Sequence, residues 1–209
     1  MKTSHFTVAG LAFALVLAFA PALRAENTVY PAVKDSLVKS KGKNVETFDA
    51  AALKDAKYVA IYYSASWCGP CRAFTPDLVK WYKRNKSKNP HFELIFVSSD
   101  RSAKDMAEYM KADDMEWPAL AFDKKKDSAS SAVTKYSGRG IPCLVLIDET
   151  GKVLSDSYVD GNYVGPRKVL EDIEKTLKDN PAAGAAASGS SGSALDRFKS
   201  TSTSTTPAR

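Results

Sequence analysis

The sequence predicts a single α/β domain in which a central mixed β-sheet is flanked by helices. Three observations predict it. First, Tyr58-Val59-Ala60-Ile61-Tyr62-Tyr63, Phe92-Glu93-Leu94-Ile95-Phe96-Val97 and Leu144-Val145-Leu146-Ile147 are short runs rich in β-branched and aromatic residues, as in strands covered on both faces. Second, stretches with apolar residues at helical spacing lie between the first two strands and after the second. They are Phe74, Leu78, Trp81 and Tyr82, then Met106, Tyr109 and Met110. Third, Asp148-Glu149-Thr150-Gly151 turns the chain from the third run into Val153 to Tyr158, which makes a hairpin and so an antiparallel pair.

The chain has 209 residues, of which 44% are hydrophobic and 26% charged, an ordinary globular composition. Met1 to Ala25 reads as a secretory signal peptide. Lys2 supplies the positive start, Val8 to Ala20 is an uncharged apolar run, and small residues follow at Ala20-Pro21-Ala22 and Ala25. The run is short for a membrane span. Export to a bacterial periplasm is therefore expected, with an uncleaved N-terminal anchor as the alternative. From Pro181 the chain is dominated by Ala, Gly, Ser and Thr, and the expectation for 181–209 is a disordered tail. That leaves one domain over 26–180, long enough for a proper core.

The net charge is +6, but basic residues are interspersed with acids, as in Lys124-Lys125-Lys126-Asp127. No basic stripe with interleaved aromatics marks a nucleic-acid partner. Three cysteines are too few for a disulfide scaffold, and with His91 as the lone histidine outside the leader they argue against a structural zinc site. No metal is expected.

Taken in order, Leu37-Val38 predicts a short strand. Asn44 or Thr47 is positioned to cap a short helix through Ala50, Ala51 and Leu53. The strand Tyr58 to Tyr63 leads into the helix carrying Phe74 to Tyr82, with Pro76 in its interior, where a kink is expected. After the strand Phe92 to Val97, Asp100 or Ser102 can cap the next helix. Trp117 to Phe122 is a loop followed by an extended piece, and Ser130 to Tyr136 a short helix ending before Gly138. Pro166 opens a last helix with Val169, Leu170, Ile173 and Leu177 on one face.

The chemistry concentrates at Ser64-Ala65-Ser66-Trp67-Cys68-Gly69-Pro70-Cys71-Arg72, where strand gives way to helix. A helix N-terminus carries partial positive charge and unpaired N–H groups, and both favour a thiolate. A helix-end contribution of up to about 2 kcal/mol would lower the pKa of Cys68 by about 1.5 units from its free value near 8.5. Cys71, one turn inside, is shielded and able to resolve a mixed disulfide at Cys68. Trp67 offers a flat apolar surface beside the sulfur. Pro70 fixes φ early in the helix, where the missing N–H costs nothing. Gly69 completes the spacer.

At these residues the chain resembles the thioredoxin superfamily, whose active-site sequence is Trp-Cys-Gly-Pro-Cys. The wider string from Ser64 to Pro76, with Val97-Ser98-Ser99-Asp100-Arg101 and Trp117, is most similar to the tryparedoxin and nucleoredoxin branch. The resemblance covers about Ser36 to Lys178. It implies a thioredoxin fold and an exchange chemistry that uses the Cys68–Cys71 pair with no cofactor. It also implies that Pro142 is cis and lies against the pair, while Ile141 before it offers backbone groups to an extended substrate. A trans proline closing a loop is the alternative. Cys143 is then close in sequence to the site, either as a third redox thiol or as a small buried apolar side chain. The superfamily carries a buried aspartate where this chain has Tyr62, so the proton acceptor for Cys71 is unassigned.

These features together predict an exported, monomeric protein-disulfide reductase. Its expected partners are protein thiols and disulfides, with a membrane electron donor where the compartment is oxidising. The alternatives are a redox-silent peptide-binding module on the same fold, a disulfide oxidase or isomerase and, more weakly, a thiol peroxidase.

Overall fold

A computed structural model describes residues 27–182. The expected signal peptide and nearly all of the expected tail lie outside the described residues. Among the described residues no helix is long and apolar enough to cross a membrane.

A short helix α1 (Val29–Val33) opens the described chain, and the Asn27 carboxamide oxygen accepts the N–H groups of Val29 and Tyr30. β1 (Leu37–Lys41) and β2 (Asn44–Thr47) form a hairpin, with Val38 opposite Thr47 and Lys41 opposite Asn44. Asn44 and Thr47 therefore sit in a strand and cap nothing. Gly42 turns the chain at φ 61°, a left-handed value that glycine adopts freely. The cap comes later. Asp49 accepts the N–H of Ala51 and starts a 3₁₀ turn over Ala50–Asp55.

The unit that positions the site follows. β3 (Tyr58–Ser64) leads through Ala65 to Cys68 into α2 (Gly69–Asn85), which runs unbroken through Pro76. β4 (Phe92–Ser98), α3 (Ala103–Ala112) and β5 (Ala119–Leu120) come next, with Ser102 as the cap of α3 and its hydroxyl accepting the N–H of Asp105 at 3.1 Å. α4 (Ser131–Thr134) precedes β6 (Cys143–Asp148) and β7 (Val153–Asp156). A second, smaller hairpin of β8 (Tyr158–Val159) and β9 (Asn162–Tyr163) then leads to α5 (Pro166–Asp179).

Seven strands form one sheet in the order β2-β1-β5-β4-β3-β6-β7. β4 is parallel to both β3 and β5; β3 with β6, β6 with β7, β1 with β2 and β1 with β5 are antiparallel. The mixed sheet expected from the sequence is thus present, and β3, β4 and β6 at its centre are buried almost throughout. Period two in these strands divides the core. Tyr62, Phe92, Leu94, Phe96, Leu144 and Leu146 face α2, α3 and α5. Val59, Ile61, Tyr63, Ile95, Cys143, Val145 and Ile147 face α1, the 3₁₀ turn and α4. Each such large side chain taken out of water stabilises the fold by about 1.5–3 kcal/mol. A buried carboxylate, Glu93, is offset by the Tyr82 hydroxyl at 2.7 Å and the Lys86 ammonium at 3.2 Å.

Candidate active site

The strand-to-helix junction brings the two cysteines together. Cys68 is the N-cap of α2, extended at φ −87° and ψ 109°, and its sulfur accepts the N–H of Cys71 at 3.2 Å. This is the position at which a side chain meets the free N–H groups and the positive end of the helix. The two sulfurs are joined as a disulfide of 2.07 Å. Cys68 keeps 6% of its surface exposed while Cys71 keeps none, so an incoming group can reach only the first sulfur. Pro70 occupies the first turn, where its missing N–H has no intrahelical partner to lose. Ala65 and Ile141 pack against the pair.

The Ile141–Pro142 peptide bond is cis. The carbonyl oxygen of Ile141 lies 3.7 Å from the Cys68 sulfur, within reach of a thiol proton when the pair is reduced. Trp67 stands beside the disulfide with 57% of its surface exposed, tethered by its indole N–H to the carbonyl of Ser99 at 3.2 Å. Pro70, Phe74 and Pro142 also line a groove of about 300 Å³, closed on its other side by Tyr163, Val164 and Arg167.

Behind Cys71 the structure places hydroxyls where the superfamily has a carboxylate. The Thr75 hydroxyl donates to the carbonyl of Cys71 at 2.9 Å. It lies 2.9 Å from the Tyr62 phenol and 2.6 Å from that of Tyr109, which in turn meets the Ser64 hydroxyl at 3.0 Å. One proton arrangement satisfies all four groups: both phenols donate to Thr75, and Ser64 donates to Tyr109. Burial raises both phenols above their ordinary range, so they stay neutral. The cluster meets Cys71 at its main-chain carbonyl, and its neutral hydroxyls are not a carboxylate-like base.

Asp100 anchors the loop from the other side. Its carboxylate is 5% exposed and accepts the N–H and hydroxyl of Ser66 at 2.8 and 2.7 Å, and the Ser98 hydroxyl at 2.7 Å. A carboxylate bonded in this way fixes the residues immediately before Trp67 and Cys68. Sequence reasoning sees Asp100 as a helix cap and as part of the Val97–Arg101 string, and misses its anchoring role because Ser66 lies 34 positions away.

Cys143 does not join the pair. It is fully buried opposite Tyr63, and its side chain belongs to the core on the face of the sheet away from α2. Burial pushes its thiol up to about 11. Of the two readings of this residue, the geometry favours the small buried side chain. His91 is equally remote. It lies at the start of β4, at the opposite end of β3 from the cysteines, buried, with Nε2 3.0 Å from the carbonyl of Asn180. Among the described residues no group of three His, Cys, Asp or Glu side chains is arranged to hold a metal ion.

A disulfide-forming Cys-x-x-Cys at a helix N-terminus, facing a cis X-Pro on a mixed sheet covered by helices, defines a protein of the thioredoxin class. The comparisons with known proteins agree. The family model described as thioredoxin-like matches residues 55–153. The solved structure of tryparedoxin II from C. fasciculata superposes with a TM-score of 0.53, at 31% identity, over 77% of this chain and 96% of that one. Tryparedoxin of Trypanosoma brucei brucei is 38% identical over 100 residues, 47% of this chain and 66% of that protein. Probable nucleoredoxin 1 of Arabidopsis thaliana is 42% identical over 104 residues, 50% of this chain but 17% of that protein. The chain belongs to the thioredoxin-like family, in its tryparedoxin and nucleoredoxin branch. It spans between 17% and 32% of the length of the animal and Arabidopsis nucleoredoxins that it matches.

Proposed function

We propose that this protein is an exported thiol–disulfide oxidoreductase that reduces protein disulfides through Cys68 and Cys71. The observation that carries the reading is the placement of the Cys68 sulfur. It caps α2, it is the sulfur that solvent reaches, and it faces the carbonyl of Ile141. In the reduced protein the Cys68 thiolate attacks one sulfur of a substrate disulfide. A mixed disulfide forms, and the other substrate sulfur leaves as a thiolate that takes a proton from water. Cys71 then gives its proton to water, from which the departing substrate sulfur recovers one, and its thiolate attacks the Cys68 sulfur. The Cys68–Cys71 bond forms, the mixed disulfide breaks, and the second substrate thiol is released. Two electrons have passed from the pair to the substrate. The backbone of Ile141 receives the substrate chain in extended form beside the reacting sulfur.

The Gly69-Pro70 spacer, shared with reducing thioredoxins, supports this direction. Export rests on the sequence of 1–25, and a periplasmic location would require a membrane donor to return electrons to the pair. The test is insulin reduction with dithiothreitol as the electron source. Wild-type protein should accelerate it, Cys68→Ser should not, and Cys71→Ser should accumulate a mixed disulfide. Peptide binding without any acceleration by the wild type would instead establish a redox-silent binding module.

A further inference from the structure

The β8–β9 hairpin is not used by the mechanism above, yet it reaches back over the loop that carries the cis proline. Its root is rigid. The Ser157 hydroxyl donates to the carbonyl of Leu144 at 2.9 Å and accepts the Leu144 N–H at 2.8 Å, and the N–H groups of Val164 and Gly165 both donate to the carbonyl of Ser157. The hairpin is therefore fastened to the start of β6, two residues beyond Pro142. Its turn, Asp160-Gly161, has φ of 51° and 79°, the left-handed pair that closes a tight hairpin.

From this root two tyrosines hold the loop. The ring of Tyr158 lies on the backbone of Gly138, so closely that a β-carbon there would stand 2.1 Å from it. Tyr163 packs against Tyr158 at 5.1 Å between ring centroids, and its hydroxyl donates to the carbonyl of Pro142 at 2.8 Å. The same Tyr163, with Val164, forms the outer wall of the groove whose inner wall is Pro70 and Phe74. One residue thus grips the peptide unit next to the substrate-receiving edge and lines the space beside it.

We propose that Tyr163 is a positioning residue for polypeptide substrates: through the Pro142 carbonyl it fixes the Ile141 backbone edge on which an extended disulfide-bearing chain docks. The inference rests on the reading under Proposed function and adds a discrimination to it. A polypeptide disulfide uses the Ile141 edge; a small disulfide with no peptide backbone needs only the Cys68 sulfur. Loss of the hydroxyl loosens the edge and leaves the sulfur pair untouched.

The experiment mixes pre-reduced protein with insulin or with cystamine and follows thiol loss by quenching and alkylation. Tyr163→Phe should slow the reaction with insulin by roughly 2- to 12-fold, the range set by one hydrogen bond. Its reaction with cystamine should stay within about twofold of wild type, below that range. Tyr136→Phe is the control. Tyr136 makes a similar bond, but its hydroxyl donates to the carbonyl of Gly151 at 2.7 Å, in the β6–β7 turn, and not to that of Pro142, so its loss should not separate the two substrates. An unchanged insulin rate in Tyr163→Phe overturns the inference, as does an equal fall with both substrates. Wild-type protein inert toward both substrates would overturn the proposed function, and this inference with it.

Discussion

Asp100→Ala removes the carboxylate that fixes the Ser66-Trp67-Cys68 loop, and its effect can be worked from the structure. Three bonds are lost, from the Ser66 N–H, the Ser66 hydroxyl and the Ser98 hydroxyl. The two hydroxyls can rotate toward other acceptors. The main-chain N–H of Ser66 cannot, and an unpaired donor of that kind costs about 1–3 kcal/mol. Adding the charge-assisted character of the lost bonds, the variant should be destabilised by about 2–4 kcal/mol. Asp100→Asn keeps one oxygen for Ser66 and should cost about 1 kcal/mol. Urea unfolding of the oxidised protein measures both. A loop displaced by even about 1 Å can slow a positioned reaction by up to about a hundredfold, so insulin reduction should fall further in the alanine variant than in the asparagine one. Asp100→Ala unfolding within about 0.5 kcal/mol of wild type, the ordinary range of a neutral surface change, would refute the assignment of this carboxylate as the anchor.

Three further outcomes follow from the geometry. Native oxidised protein should resist alkylation at Cys143 by iodoacetamide, whereas urea-unfolded protein should react there at once. With the folded thiol at about 11 and its ordinary value at 9.0, the unfolded chain loses this proton first as pH rises. Wild type should therefore lose stability relative to Cys143→Ala between those two values, by up to about 1.4 kcal/mol per pH unit, as read from urea titrations at pH 8 to 11. A constant difference across that range would contradict the burial argument. Gly138→Ala forces a methyl into the Tyr158 ring and should cost about 1–3 kcal/mol in thermal or urea unfolding. A variant as stable as wild type would show that Tyr158 does not press on this backbone.

The sheet centre is legible in sequence because β3, β4 and β6 are covered on both faces and so are nearly continuous apolar runs. The edge is not. β2 reads Asn44-Val45-Glu46-Thr47, with three of its four residues polar and both ends exposed, and its polar ends look like helix caps. β8 and β9 are two residues each, too short for any periodicity, although Asp160-Gly161 between Tyr158-Val159 and Asn162-Tyr163 carries a hairpin signal. At the site the same division holds. Cys68, Cys71 and Pro70 declare themselves because their chemistry follows from local spacing. Asp100, Thr75, Tyr109 and Tyr163 act through partners far along the chain, and only the fold shows which partners those are. Cys143 illustrates the converse. Adjacent to Pro142 in sequence, it is turned to the opposite face because strand side chains alternate.

The reacting sulfur at Cys68 and the carbonyl it faces at Ile141 come from positions 73 apart along the chain. They meet only when β6 docks beside β3, a long-range pairing of the kind that forms slowly because distant segments must first find one another. Until that step a newly made chain holds its vicinal thiols without the surface that would choose their targets. On the function proposed above, the choice of substrate chain therefore depends on the β3–β6 pairing, whereas the two sulfurs are brought together by the β3–α2 junction alone.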